Sequence, residues 1–122
     1  MSAPARVQLF GLAKSKTTRK AQRFFSERRI SVHLVDGERH PPSPGELRRF
    51  VQRFGVEAVL DPSSKAYQEQ GLRYVSASDE DWITRMAANP AILALPLGRL
   101  GNELTVGDDP DGWQRLADAA RG

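Results

Sequence analysis

Ser15 is the residue on which any chemistry of this chain turns. It ends a short loop, Leu12-Ala13-Lys14, between an apolar segment that closes on Gly11 and a cation-rich segment that begins at Lys16. Strand, loop and helix start in that order suit thiol chemistry. A helix N-terminus offers free N–H groups and partial positive charge, which bind anions and lower the pKa of a thiol placed there. The 122-residue chain, however, has no cysteine. A hydroxyl at Ser15 needs an adjacent general base to become a nucleophile, and no histidine is close in sequence: His33 lies inside an apolar segment and His40 opens a proline-rich break, so both are read as strand or surface residues. The lack of cysteine also excludes disulfides and thiolate metal sites, and no metal site is expected.

Lys14, Ser15, Lys16 and Thr17 can still gather N–H groups, hydroxyls and two amines into a pocket for a small anion or a thiol. The plainer alternative is that Ser15 or Thr17 caps the following helix, a contribution of about 0.5–2 kcal/mol. Further along, Lys16, Arg19, Lys20 and Arg23 recur at helical spacing on one face, with Ala21, Phe24 and Phe25 on another. Arg19, Lys20 and Arg23 are the candidate contacts for an acidic partner. The same stripe allows a weaker reading as a nucleic-acid surface, although few aromatics accompany it, and it is equally the solvated side of an amphipathic helix.

The elements that must position these residues follow from periodicity and caps. Val7–Gly11 and the segment from Ile30 to Val35 suit strands, and the helix between them spans Lys16 to Arg28, so a parallel βαβ unit with a right-handed crossover is expected. Ser43 followed by Pro44 and Glu46 starts a helix whose buried stripe is Leu47, Phe50, Val51 and Phe54 and which stops at Gly55. Short helical pieces at 56–60 and 65–70 flank Asp61-Pro62-Ser63-Ser64. Ser78 with Asp81 opens another helix, which carries Trp82, Ile83 and Met86 and ends before Asn89-Pro90. An apolar strand over Ile92–Leu97, a Gly101-Asn102 turn and a strand over Leu104–Gly107 then form an antiparallel pair, and Asp109-Pro110 starts a terminal helix with Trp113, Leu116 and Ala117 inside. Both tryptophans are expected in the core.

Size and composition bound the rest. A chain of 122 residues with 39% hydrophobic and 27% charged residues is expected to be one domain over 1–122. No apolar run reaches the ~20 residues of a bilayer span, and Met1-Ser2-Ala3-Pro4-Ala5 lacks the apolar core of a signal peptide, so a cytoplasmic location without a membrane partner is the expectation. The net charge of +3 hides a gradient: Arg6, Lys14, Lys16, Arg19, Lys20, Arg23, Arg28 and Arg29 face only Glu27 in the first 30 residues, whereas Glu103, Asp108, Asp109, Asp111 and Asp118 outweigh Arg115 and Arg121 at the end. Such polarity suits an acidic partner for the first segment.

Three stretches together resemble a known family: Leu9-Phe10-Gly11 followed by Ser15, Thr17 and Arg19-Lys20-Ala21; Asn89-Pro90-Ala91-Ile92-Leu93-Ala94-Leu95-Pro96; and Leu104-Thr105-Val106-Gly107 leading into the last helix. In order and spacing, over about residues 6 to 118, the chain resembles the arsenate reductase (ArsC) and Spx family of thioredoxin-like proteins. The resemblance implies an α/β thioredoxin-like fold with a four-stranded mixed sheet, βαβ then a helical insert then ββα, and a cis peptide bond at Pro96 beside the helix N-terminus. It also places the family's catalytic cysteine at Ser15, one oxyanion arginine in the Asp61–Ser64 loop and another at Leu95; this chain has none of them.

Arsenate reduction is therefore not expected, and the resemblance leaves a redox-inactive binding or regulatory module. Spx-type relatives, which act by binding RNA polymerase, supply the precedent for an acidic protein partner. The alternative is glutathione-dependent chemistry in which Ser15 donates a hydrogen bond to the thiolate of the bound ligand, with Pro96 at the edge of that site. No other cofactor is implied.

Overall fold

Val7–Gly11 (β1) is a short, mostly apolar strand that ends in glycine, and it runs directly into the loop that holds Ser15. The computed structural model describes residues 6–122. In chain order β1 is followed by Lys16–Glu27 (α1), Val32–Asp36 (β2), Pro44–Phe54 (α2), Val56–Val59 (α3), Lys65–Glu69 (α4), Asp79–Ala88 (α5), Leu97–Leu100 (β3), Glu103–Val106 (β4) and Pro110–Arg121 (α6). Two compact units contain these elements, one made of residues 6–36 and 95–122 and the other of 37–94.

In the first unit the sheet order is β2-β1-β3-β4. β1 and β2 are parallel, with Val7 opposite Val32 and Leu9 opposite Leu34, as the βαβ unit requires. β3 is antiparallel to β1, with Phe10 opposite Leu97, and β4 is antiparallel to β3. The hairpin between them turns at Gly101, whose φ of 60° is open to glycine without a Cβ clash. Helices α1 and α6 pack beside one another, and Val7, Leu9, Ala21, Phe25, Trp113 and Leu116 form a shared core with Phe24 at its margin. Phe24 meets Trp113 edge-on at 5.6 Å between ring centres, and Arg28 stacks 3.5 Å above the Phe24 ring while its Nε donates to Gln114.

Two strand limits differ from expectation. Ile30 does not join β2. Its N–H donates instead to the Phe25 carbonyl (2.9 Å) and that of Arg29 to Ser26 (3.1 Å), with Arg29 left-handed at φ 57°, so the end of α1 consumes the residue in a Schellman closure. The apolar run Ile92–Leu97 is not a strand either. Pro90–Ile92 forms a 3₁₀ turn, Leu93 makes an isolated bridge to Leu60, and the ladder with β1 begins only at Leu97, after Pro96, which has no N–H to donate.

In the second unit α2 packs on α5. Leu47, Phe50 and Val51 on one and Trp82, Ile83 and Met86 on the other are buried. Ser43 and Ser78 cap these helices by accepting from Glu46 and Asp81 N–H groups. Arg48 forks across onto both Glu80 oxygens at 2.9 and 2.8 Å. Those hydrogen bonds hold the Glu80 carboxyl below its usual range, and Glu80 in turn raises the Arg48 guanidinium.

Candidate functional site

The loop after β1 is tight. Ser15 N–H donates back to the Leu12 carbonyl at 2.9 Å, which swings the chain from strand to helix within Ala13 and Lys14. Ser15 itself is extended, its Oγ accepts the Thr18 N–H at 3.1 Å, and its carbonyl accepts from Arg19 N–H at 3.2 Å. Ser15 is thus the cap of α1; half-buried Thr17 is not. The N–H groups of Lys16 and Thr17, in the first turn, have no acceptor among the described residues, and neither the Lys14 nor the Lys16 ammonium is paired there. The site consists of two open backbone donors, a hydroxyl and two exposed cations. That set can hold an anion; it contains no nucleophile with a base.

Thr18 fixes this arrangement and was not singled out by sequence. It is 1% exposed and packs on Gly11, where a Cβ would stand 2.5 Å from both Thr18 Cγ2 and Oγ1. The close approach seats the first turn of α1 on the end of β1. The available signal was a strand that ends in glycine, with a small β-branched residue in the first turn of the next helix.

The cationic stripe is not uniform. Arg19 folds back, its Nη1 donating to the Ala13 carbonyl at 3.0 Å, and so braces the loop. Lys20 forks onto the Asp108 carboxylate at 2.9 and 3.0 Å and lies 5.9 Å from the Trp113 ring centre. Lys16 and Arg23 are exposed and form no ion pair with described residues. Part of the charge gradient along the chain is therefore spent within the fold, between α1 and the approach to α6.

Pro96 lies one residue beyond the Phe10–Leu97 pair, at the end of the sheet from which the Ser15 loop departs. The Leu95–Pro96 bond is cis, the isomer the resemblance implies, and Pro96 is buried with its carbonyl accepting from Gly107 N–H at 3.0 Å. His33 stands opposite Gln8 on β2, toward the other end of β1, so it offers Ser15 no base. In the second unit, Asp61 accepts from Ser63 N–H and Oγ at 2.9 and 2.6 Å, a self-contained turn without an arginine. Trp82 and Trp113 are buried, as expected.

Among the described residues no cluster of three or more His, Asp or Glu side chains is placed to hold a metal, and no helix is long and apolar enough to cross a membrane. No curated protein matches the chain. Solved structures do. An ArsC-family-related protein from Bacteroides fragilis is 20% identical with a TM-score of 0.84, over 93% of this chain and 99% of that one. An arsenate reductase from Vibrio cholerae is 20% identical with a TM-score of 0.80 over the same shares. A YFFB protein is 21% identical with a TM-score of 0.82, over 91% of this chain and 98% of its own. These likenesses show a shared thioredoxin-like fold. The sequence model of the ArsC family matches residues 10–116, nearly the whole of the described chain, and the protein is accordingly a cysteine-less member of the ArsC family.

Proposed function

We propose that the chain is a redox-inactive binding module, in which the Ser15 end of α1 receives an anionic group of an acidic protein partner. The observation that carries this reading is the pairing state of the loop. The Ser15 hydroxyl is used as a cap, while the Lys16 and Thr17 N–H groups and the Lys14 and Lys16 amines stay unsatisfied by described protein groups. A helix N-terminus of that kind favours a carboxylate, phosphate or sulfate. The absence of cysteine and of arginine at Leu95 and in the Asp61–Ser64 loop supports binding over catalysis. RNA polymerase is the partner suggested by the likeness to Spx-type proteins.

Glutathione-dependent chemistry is the second reading, because the same donors can hold a ligand thiolate beside Ser15. Nucleic acid is a poorer fit. Lys20 is committed to Asp108, Arg19 to the loop, and both tryptophans to the interior.

Capture from cell extract on the immobilised wild type and on Lys14→Gln/Lys16→Gln tests the proposal. Loss of one specific protein from the variant is expected; equal recovery of everything overturns the reading. Binding of glutathione by the wild type, abolished in Ser15→Ala, would favour the second.

A further inference from the structure

The exposed edge of the sheet carries a second feature, away from the Ser15 loop. β2 is an outer strand, and a groove of about 510 Å³ runs between it and α1, lined by Ile30, Val32 and Leu34 on one side and Gln22, Arg23 and Ser26 on the other. The groove exists because the helix does not reach the edge. Leu9 on β1 and Leu34 on β2 are register partners, yet Leu9 is fully buried and Leu34 is 37% exposed.

Edge strands are commonly shielded by lysine, proline or a bulge, since their outward N–H and C=O groups template further pairing. β2, Val-His-Leu-Val-Asp, has no lysine and no proline, and its register with β1 runs unbroken from Val32 to Asp36. In a strand paired on one side only, alternate residues turn their backbone groups outward. Beside them stands Arg23, exposed and without an ion pair among the described residues. The only acid on α1, Glu27, lies one turn further on.

We propose that this edge is a peptide-docking site: an extended acidic segment of a partner protein adds to β2 as a fifth strand, sets an apolar side chain against Val32 and Leu34, and places a carboxylate at Arg23. Main-chain hydrogen bonds supply affinity in such strand addition, and the alternating pockets supply specificity. The unpaired arginine selects an acidic strand over a basic one. The inference rests on the reading of the chain as a binding module for an acidic partner, and it names where and in what conformation that partner lies.

The test is an amide NMR titration of the full chain with acetyl-Glu-Val-Thr-Glu-Glu-amide, whose valine and second glutamate fall on one face of an extended strand, and with the matching peptide in which lysine replaces every acid. The acidic peptide is expected to shift the Val32–Asp36 amides and slow their exchange. Arg23→Gln and Leu34→Thr, both at exposed positions, should each weaken it by about tenfold. The lysine peptide should not bind. Equal binding of both peptides, shifts confined to other elements, indifference of the two variants, or self-association that protects β2 without peptide would each overturn the proposal. Shifts at Lys14–Thr17 alone, lost in Lys14→Gln/Lys16→Gln, would overturn strand addition and leave the proposed function standing.

Discussion

Replacing Ser15 by cysteine places a thiol at the start of α1. The hydroxyl sits at the N-terminus of a twelve-residue helix, beside Lys14 and Lys16, which form no ion pair with described residues. A thiol there is expected to titrate below the ordinary value of about 8.5, because the helix end and both ammoniums favour the thiolate. Ultraviolet thiolate absorbance against pH measures it, and an unshifted midpoint would contradict the electrostatics described for the loop. The seat of that loop is testable one contact away. Gly11→Ala drives a methyl into the buried Thr18 side chain and should cost about 1–3 kcal/mol in denaturant unfolding. Thr18→Ala in the same chain should recover part of that loss, and strict additivity of the two substitutions would show that they do not touch.

At the scale of elements, what was legible in the sequence was what local chemistry decides. Ser43, Ser78 and Asp109 start helices because their side chains accept from the N–H three residues on, and each is seen doing so. The stretch Ile92–Leu97 departs from the expected strand because a short apolar run is equally a strand or a buried connection. Here Leu93 and Ala94 pair with the Val59–Leu60 segment rather than with the sheet. In the candidate site Ser15 can be placed from sequence, but Ser15 and Thr17 both suit a helix cap by residue type, and only the Thr18 N–H decides between them. The Lys20–Asp108 pair and the groove beside β2 were not legible at all. They join residues whose proximity is set by the sheet and not by spacing along the chain. Between α2 and α5 the Arg48–Glu80 fork makes its own prediction. Glu80, held below its usual range by the Arg48 hydrogen bonds, contributes stability above its unfolded value of about 4.3 and loses it as pH falls through the lower folded value. Carboxyl NMR should show Glu80 returning to the ordinary range in Arg48→Gln, and an identical midpoint in both proteins would rule the fork out.

For the molecule as a whole, the ArsC fold is present and the cysteine is not. The chain has the mixed sheet of the ArsC fold, a cis Leu95–Pro96 bond and a capped helix end at Ser15, and it has no cysteine. One fold hosts many functions, so activity has to be argued from the site and not from the architecture. Under the proposed function, open N–H groups and lysines are enough for binding without a thiol, whereas thiol-based electron transfer needs the cysteine that this chain lacks. The most direct measurement is turnover: purified protein with arsenate, in the presence of glutathione and the glutaredoxin and thioredoxin reducing systems. The expected rate equals the blank without protein, for the wild type and for Ser15→Ala alike. Arsenate reduction above that blank which disappears in Ser15→Ala would contradict the account.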